Sequence, residues 1–506
     1  MFPYDSLDEF LADLEKEGEL RRIRAEIDAK YDLSGLYAVL GKSGGPAVVC
    51  ENMKANNPTP MLTWMLGSWK RTCMALGTAT REEAIEKVIR VSQDESTWLE
   101  PVIVNTGPCK EIIIPGDEVD VWKQLPAIWG GELEYNAYIT QGLTISKDPE
   151  TGIRNAGTYR HAFLDTDPNT GEAFSEDVRK RCFASFIGAG ANHAGSHQAK
   201  MKGKPLEIAI AVGLEPTVLM SGGAVIPYGK DEIAFTGGLR GKPVEMVRCE
   251  TVDLEVPATA HFVIEAEILP VSSVEDIVTI GPFGEFFGGT LRANNPMLKT
   301  RIKCITRKKD ALWPMVVETH QPPIYEHARW LNVMETAALY EIRKWVPHVK
   351  KIRVPLPPGN MHQGMVVVQI ERKPYAHFAK QVMRAVWSMK PGYWAKYIIV
   401  VDADVDPDNW GQIMVAMQNN VQPAQDITIS ENNPQIHGWD PSVCGLPVDM
   451  DMQMMMTGQS QMGIDATVKV PERISEDADP RPRWTRASKE LEQRVYDKIK
   501  KELGLT

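Results

Sequence analysis

The sequence predicts a multidomain protein of mixed α+β and α/β class, with a β-rich central domain and an α/β domain near the C-terminus. A chain of 506 residues is long enough for two to four domains, each with its own hydrophobic core. Short apolar segments separated by Gly- and Pro-rich turns fill residues 117–310, and this density of strands indicates a curled, barrel-like sheet. Strands and helices alternate over residues 348–470, which is typical of a separate α/β domain.

The N-terminal region, residues 1–116, is predicted to contain two amphipathic helices and short mixed elements. Asp5 or Ser6 can cap the first helix, because both side chains accept hydrogen bonds from backbone N–H groups. The apolar residues of this helix recur on one face: Leu7, Phe10, Leu11 and Leu14. Thr80 and Glu83 precede a second apolar stripe with the spacing of a capping box, so a second helix begins there.

Two further helices are predicted outside the sheet-forming regions. The segment HARWLNVMETAALYEIRKWV is amphipathic and ends before Pro347, so residues 311–347 are expected to contain a linker helix between the central and C-terminal domains. Residues 471–506 form a tail with the amphipathic segment ASKELEQRVYDKIKKELG, which we expect to be helical and to form an oligomer contact.

Composition excludes several classes of function. The formal net charge of −11 argues against nucleic acid as the main partner, because phosphate binding requires clustered Lys and Arg. Seven scattered cysteines without a Cys-x-x-Cys motif fit reduced thiols in a cytoplasmic protein better than disulfides or a zinc cluster. The N-terminal sequence is acidic early and has no apolar core, and no apolar run reaches about 18 residues. We therefore expect a cytoplasmic protein with no signal peptide, no membrane span and no membrane partner.

Two histidines in ANHAGSHQAK have a spacing that suits a metal. His193 and His197 stand four residues apart, which is one helical turn, so both imidazoles can face one ion. The zinc-protease version of this pattern carries Glu after the first His, whereas this chain has Ala194. Surface or capping histidines remain the alternative that these residues leave open.

The segment IRNAGTYRHAF, residues 153–163, places an amide, a phenol, a guanidinium and an imidazole within seven residues. Asn155 and Arg160 are five residues apart, so a regular strand would direct them to opposite faces of a sheet. Gly157 permits a bulge that would bring both side chains toward one pocket. Further along, GPFGEFFGG places Glu285 on a tight turn between aromatic residues, either as a solvated turn residue or as an acid whose pKa is raised.

These segments together resemble the UbiD family of decarboxylases, which use prenylated FMN. The resemblance runs through RNAGTYR, NHAGSH, PLEIAIAVGLEP, SGGAVIPYGKDE, AFTGGLRGKPVEMVRCETVDLEVPATAHFVIEAEI, GPFGEFFGG and MKPGYWAKYIIVVD, in one order along nearly the whole chain. It implies a UbiD-like fold, with a split-β-barrel-like cofactor domain, a linker helix and a C-terminal α/β domain that mediates oligomer formation. It also implies reversible, non-oxidative decarboxylation of an aromatic carboxylic acid.

The resemblance implies a cofactor and metal site. Asn155, His193 and Glu232 match the residues that bind Mn²⁺ or Mg²⁺ beside the flavin phosphate, and His197 remains an alternative to His193. Lys390 matches a lysine near the phosphate. A further set matches the strand and the SGGAV loop that line the cofactor and a site for a monovalent cation such as K⁺: Thr158, Tyr159, Arg160, Ser221, Gly222 and Gly223.

The resemblance also implies the catalytic roles. Arg160 matches the arginine that orients the substrate carboxylate, which a planar guanidinium grips in bidentate fashion. Glu285 matches the acid that transfers a proton after CO₂ has left. The electron pair left on an sp² carbon lies in the ring plane, where the ring π-system does not stabilise it, so the cofactor must supply an electron sink.

One position departs from the family pattern. Family members read Glu-Gly-Pro-(Phe/Tyr)-Gly-(Glu/Asp), whereas this chain has Ile280 at the first position, so Arg160 lacks one expected carboxylate partner. Glu275 or Asp276 are candidate substitutes if the loop is rerouted. We expect a hydroxylated, fused-ring or heteroaromatic acid as the substrate. Three residues are expected to line its site: His320, His437 and Trp439.

The expected partners follow from this assignment: a small aromatic acid, a flavin prenyltransferase that supplies the cofactor, and further copies of this chain in a homodimer or homohexamer. A non-catalytic or partner-dependent subunit of a multi-subunit carboxylase is the alternative, and Ile280 is the observation that favours it. A metal hydrolase that uses His193 and His197 is a third class with less support.

Overall fold

The computed structural model contains helices and strands throughout the chain. It describes residues 2–187, 193–271, 276–285, 289–291, 294–317, 326–354, 364–371, 377–433, 459–469 and 489–502. The mixed α+β architecture that the sequence predicts is confirmed, with a strand-rich centre and a strand–helix alternation near the C-terminus.

The N-terminal region packs helices against a small sheet. Its elements are α1 (Leu7–Lys16), β1 (Leu20–Ile23), β2 (Ile27–Asp28), α2 (Asp32–Ser43), β3 (Ala47–Cys50), β4 (Met53–Lys54), β5 (Met61–Thr63), α3 (Trp69–Leu76), α4 (Arg81–Gln93), β6 (Val102–Ile103) and β7 (Ile112–Pro115). The Ser6 hydroxyl accepts the Glu9 N–H at 3.2 Å and caps α1. The Thr80 hydroxyl accepts the Glu83 N–H at 3.2 Å, which confirms the predicted cap of α4.

The central region is dominated by one large sheet, surrounded by short helices. Its elements are α5 (Val121–Gln124), β8 (Tyr138–Ile139), β9 (Gly142–Lys147), β10 (Arg154–Thr158), β11 (His161–Phe163), α6 (Glu176–Arg181), β12 (Cys182–Ser185), α7 (His193–Lys200), β13 (Leu206–Val212), α8 (Pro216–Ser221), α9 (Glu232–Arg240), β14 (Glu245–Arg248), β15 (Glu255–Pro257), β16 (Phe262–Ile268), β17 (Ile277–Ile280), β18 (Phe283–Glu285), β19 (Gly289–Leu291), β20 (Asn295–Arg307) and β21 (Trp313–Pro314).

The central sheet curls on itself. Its strands follow the order β10-β9-β13-β16-β20-β12-β11-β8, and β7 and β17 also pair with β20. β10 comes first and β11 last but one, although only Tyr159 and Arg160 separate these strands in the sequence. The two ends of the sheet therefore meet, and Nε2 of His161 on β11 lies 2.8 Å from Oγ1 of Thr144 on β9. Within the described residues no strand ladder closes the gap between β10 and β11, which we call the seam.

The prediction of a bulge at Gly157 is wrong. β10 pairs with β9 in unbroken antiparallel register, with Asn155 opposite Ser146, Gly157 opposite Thr144 and Thr158 opposite Leu143. The chain changes direction after Thr158, where it leaves one end of the sheet and enters the other. The two-residue crossing at Tyr159 and Arg160 therefore sets the direction of the Arg160 side chain.

The C-terminal region forms the predicted α/β domain. Its elements are α10 (Glu326–Leu339), β22 (Val349–Arg353), β23 (Met365–Ile370), α11 (Phe378–Trp387), β24 (Tyr397–Asp402), α12 (Trp410–Asn420), α13 (Pro423–Asp426), β25 (Ile427–Asn433), β26 (Gln459–Asp465) and a last helix, Lys489–Ile499. The sheet order is β22-β23-β24-β26-β25, with β23, β24 and β26 parallel. Amphipathic α11 covers this sheet with Val382, Met383 and Val386 buried.

An ion cluster fixes the C-terminal domain against the N-terminal region. The Asp408 carboxylate accepts hydrogen bonds from Arg81 and Arg353, each at 2.9 Å, and Arg353 also contacts Glu82 at 2.9 Å. Arg353 is buried, whereas its carboxylate partners Asp408 and Glu82 are partly exposed, so the cluster lies at the edge of the interface. No helix in the described ranges is long and apolar enough to cross a membrane.

Candidate active site

The first part of the site is the junction of β10 and the start of α9. Arg154 donates to Asp231 at 2.6 Å, and Asp231 caps α9 by accepting the Ile233 N–H at 2.8 Å. This contact holds the helix start against the strand. Glu232, the first residue of α9, therefore reaches the outer edge of β10, where its Oε2 accepts the Ala156 N–H at 2.9 Å.

Asn155 lies beside this contact. Its side chain is buried beside the Tyr159 phenol, and its amide nitrogen makes no hydrogen bond of standard geometry to the described residues. A buried amide without a partner is uncommon, because leaving it unpaired costs about 1–3 kcal/mol. Asn155 and Glu232 thus place an amide and a carboxylate together at one corner, a donor set that fits Mn²⁺ or Mg²⁺.

The SGGAV loop packs directly against β10. The Thr158 N–H donates to the Gly222 carbonyl at 3.2 Å, and a Cβ on Gly222 would lie 2.7 Å from the Thr158 hydroxyl oxygen. Glycine is therefore required for this close approach. The Thr158 hydroxyl is buried and has no hydrogen-bond partner in the described part of the chain. The neighbouring Ser221 hydroxyl is already used, since it donates to the Val218 carbonyl at 2.7 Å.

Tyr159 and Lys390 approach the same corner. Burial, aided by the nearby Glu232 carboxylate, raises the pKa of Tyr159 to about 12, so this phenol stays protonated. Lys390 is exposed as a whole residue, but the protein around its ammonium group lowers its pKa, while Glu232 and Glu335 oppose the change. Lys390 thus brings a cation from the C-terminal domain to the corner that contains Asn155 and Glu232.

The two predicted metal histidines have different surroundings. His197 is buried, with Nδ1 3.0 Å from the Ser146 hydroxyl and Nε2 3.8 Å from the Asp148 carboxylate. The Ser146 hydroxyl engages Nδ1, whereas 3.8 Å is longer than a hydrogen bond, so the choice between His193 and His197 as the metal ligand stays a prediction. The His193 backbone begins α7, but its side chain lies outside the description. The side chains that are described contain no cluster of three metal-binding groups, so the Asn155–His193–Glu232 trio stays a prediction.

The second part of the site surrounds Arg160. Its Nη1 donates to the Gly284 carbonyl at 2.7 Å. Three aromatic rings lie within 6 Å of the guanidinium carbon: Phe283 at 5.1 Å, Phe186 at 5.3 Å and Tyr138 at 5.8 Å. Phe186 and Phe283 also pack edge to face, with ring centroids 4.9 Å apart. The aromatic residues hold the partly buried guanidinium in position, with its charge attracted to their faces.

Glu134 is the residue of this pocket that sequence reasoning missed. Its carboxylate accepts the Gly130 N–H at 2.6 Å and the Gly284 N–H at 3.1 Å. Burial raises the pKa of Glu134, and the positive charge of Arg160 opposes the rise. The only sequence signal is the adjacent pair Gly130–Gly131, whose backbone N–H groups can turn toward a following carboxylate.

Ile280 and Glu285 flank the turn that contacts Arg160. Ile280 is fully buried in an apolar cluster that includes Tyr138 and Phe283. The Glu285 backbone pairs with Gly289 in the hairpin of β18 and β19, while its side chain lies outside the described part. Asp276 lies at the far end of β17 from this turn, about 13 Å along the strand. Four other predicted positions fall outside the described residues: Glu275, His320, His437 and Trp439.

Comparisons with known proteins concern the sequence and the fold of the whole chain. Sequence profiles of the N-terminal, Rift-related and C-terminal domains of the 3-octaprenyl-4-hydroxybenzoate carboxy-lyase UbiD match residues 11–91, 101–321 and 330–466. The chain is 26% identical to the vanillic acid decarboxylase of Sedimentibacter hydroxybenzoicus in its closed form, with a TM-score of 0.81 and 99% of each chain covered.

Two further relatives extend this result. The UbiD-class enzyme HmfF from Pelotomaculum thermopropionicum, in complex with prenylated FMN, is 27% identical with a TM-score of 0.75, covering 93% of this chain and 97% of that one. An uncharacterised protein of Synechocystis is 29% identical over 488 residues, covering 91% of this chain and 89% of the relative.

Proposed function

Because the chain belongs to the UbiD family of decarboxylating enzymes, we propose that it catalyses the reversible, non-oxidative decarboxylation of an aromatic carboxylic acid. Covalent catalysis on prenylated FMN is the proposed mechanism. The observation that carries the proposal is the Arg160 guanidinium, held among three aromatic rings two residues beyond the end of β10.

Arg160 is proposed to bind and orient the substrate carboxylate. A guanidinium presents its N–H donors in a planar fork that matches a carboxylate. The surrounding Tyr138, Phe186 and Phe283 reduce the contact of the guanidinium with water, which strengthens an ion pair, and they offer faces against which an aromatic ring can pack. An aromatic acid therefore suits the pocket better than a small aliphatic acid.

The corner at the other end of β10 is proposed to hold the cofactor phosphate and its metal. Asn155, Glu232 and His193 are the proposed ligands of Mn²⁺ or Mg²⁺, and Lys390 balances the phosphate charge. Three observations support this assignment: the buried Asn155 amide, the Thr158 hydroxyl that has no hydrogen-bond partner among the described residues, and the tight packing of Gly222. Ser221 and Gly223 belong to the same proposed loop, which would also take K⁺. When bound, prenylated FMN supplies the electron sink for the pair left by the broken C–C bond.

Glu285 is proposed to deliver the proton to the ring carbon that has lost CO₂. Glu285 directly follows Gly284 in the sequence, and the Gly284 carbonyl accepts a hydrogen bond from Arg160. The proposed proton donor is therefore the neighbour of a residue that contacts the carboxylate-binding guanidinium. His320, His437 and Trp439 are proposed to line the rest of the substrate site. We further propose a cytoplasmic homodimer or homohexamer that receives its cofactor from a flavin prenyltransferase.

The test is co-expression with a flavin prenyltransferase, followed by a screen of hydroxylated, fused-ring and heteroaromatic acids for CO₂ release. We expect a preparation with a flavin absorbance spectrum that decarboxylates at least one acid. Arg160→Ala and Glu285→Gln should lower kcat/KM at least about 100-fold, whereas Arg384→Ala, an exposed arginine on α11, should have no effect. A preparation without flavin, or full activity in Arg160→Ala, would contradict the proposal.

The alternative is a partner-dependent or non-catalytic subunit. Ile280 favours it, because an apolar residue replaces a carboxylate that the family places beside the arginine. CO₂ release by the purified chain alone would exclude this alternative. Flavin binding without activity, restored by a second polypeptide, would support it.

A further inference from the structure

Two loops on either side of Arg160 are joined residue by residue. The Tyr135 N–H donates to the Pro282 carbonyl at 2.9 Å, and the Gly281 N–H donates to the Asn136 side chain at 3.0 Å. A Cβ on Gly281 would lie 2.5 Å from the Tyr135 side chain, so the loops are in close contact. The loop of residues 130–136 therefore fixes the turn that precedes Glu285.

Glu134 completes this junction with a charged group. Gly284 contacts both charges, because its N–H donates to Glu134 at 3.1 Å and its carbonyl accepts from Arg160 at 2.7 Å. The second oxygen of Glu134 is held by the Gly130 N–H at 2.6 Å. Backbone groups thus fix the carboxylate, and it needs no contact with solvent to keep its position.

We propose that Glu134 is a positioning residue for Arg160 and supplies, from the loop before β8, the carboxylate that Ile280 does not. This inference rests on the proposed function, in which Arg160 orients the substrate carboxylate. Ile280 cannot serve, because its side chain is apolar and packed in the cluster with Tyr138 and Phe283. Asp276 lies at the opposite end of β17.

The electrostatics agree with this geometry. Burial raises the pKa of Glu134 and Arg160 opposes the rise, so the two charges are close enough to interact. The two side chains meet through the backbone of Gly284, so in this partly buried pocket the carboxylate opposes the charge of the guanidinium and supports its position. Loss of the carboxylate should therefore misorient Arg160, which affects both the binding of the substrate carboxylate and the breaking of its C–C bond.

The closing experiment measures the coupling of Glu134 and Arg160 directly. The holoenzyme is labelled with ¹³C-carboxyl glutamate, and the Glu134 signal is assigned by its absence from Glu134→Gln. We expect the titration midpoint of Glu134 to rise by about one pH unit or more in Arg160→Met, because the opposing positive charge is gone. Equal midpoints in the two proteins would overturn the inference.

Kinetics with the most active acid of the screen provide the second readout. We expect Glu134→Gln to lower kcat/KM about 10- to 100-fold, and Glu134→Asp to restore part of the loss because it keeps the charge. Glu132→Gln changes an exposed carboxylate of the same loop and should match the wild type. Unchanged kcat/KM in Glu134→Gln would also overturn the inference. A wild type with flavin and no decarboxylation would refute the proposed function, while the two titration midpoints would still decide the coupling.

Discussion

Replacement of Ile280 by Glu tests whether a carboxylate at this position, in the cluster that shares Tyr138 and Phe283 with the Arg160 pocket, can pair with the guanidinium. The side chain has no exposed surface and lies with Val278, Phe283 and Met297 in an apolar cluster. Loss of a buried isoleucine costs about 2–3 kcal/mol in transfer free energy. Burial of an ionised carboxyl without a partner raises its pKa by 3 units or more, which adds about 4 kcal/mol at pH 8.

The effect should depend on pH with a defined sign. The folded-state pKa of the introduced carboxyl lies above its unfolded value of about 4.3, so the folded protein binds the proton more tightly. We therefore expect Ile280→Glu to lower the free energy of unfolding by about 6–7 kcal/mol at pH 8, and by only about 3–4 kcal/mol near pH 5. Urea unfolding monitored by tryptophan fluorescence at the two pH values measures this difference.

Two variants separate the charge from the packing. Ile280→Gln has nearly the same size as the glutamate variant without the charge, so its loss of stability should not change between pH 5 and pH 8. Ile280→Val should cost only about 0.5–1.5 kcal/mol. If Ile280→Glu is as stable at pH 8 as Ile280→Gln, the position has a cationic partner. Glu134 would then not be needed as a substitute for a carboxylate at position 280.

Three further predictions concern the cofactor corner and the sheet. Asn155→Ala should lower the content of bound metal and of bound flavin at least about tenfold, because it removes a proposed metal ligand. Inductively coupled plasma mass spectrometry measures the metal, and full retention of both metal and flavin would exclude this role. Lys390→Met should weaken flavin retention on dialysis about tenfold, whereas Lys396→Met, on the nearby approach to β24, should not. His161 is buried between Thr144 and Ser185, and burial lowers its pKa to about 3. As the pH falls, the imidazole is therefore protonated in the unfolded chain before it is protonated in the folded one, so the free energy of unfolding should decrease from about pH 6.5 toward pH 3. His161→Asn should flatten that slope by about 1.4 kcal/mol per pH unit. An unchanged slope would contradict the burial of this imidazole.

Local signals in the sequence predicted much of the fold. The caps at Ser6 and Thr80 depend on residues within one helical turn, and the structure confirms both. The segment PLEIAIAVG forms β13, Leu206–Val212, as expected for one of the short strands predicted over residues 117–310, because its apolar residues and turn-forming neighbours lie within one short segment. Such features are encoded by neighbouring residues, so they can be identified without knowledge of the tertiary structure.

The errors arose where distant segments meet. Gly157 suggested a bulge, whereas the strand stays regular and crosses between the ends of the sheet at Tyr159 and Arg160. Glu134 was missed because its contact with Gly284 joins residues 150 positions apart through a backbone N–H. A backbone donor leaves no trace in residue type, and the apolar packing of Ile280 becomes evident only when the third dimension is known.

The seam of the sheet explains why both halves of the site lie where they do. An interior strand uses its outward N–H groups to pair with the next strand, whereas β10 is an edge strand at the seam. Its Ala156 N–H is instead bound by Glu232, and the Thr158 N–H by the Gly222 carbonyl. The same break in pairing frees the chain to cross at Arg160. Closure of the seam by one more strand would therefore satisfy the backbone but displace the groups that form both ends of the pocket.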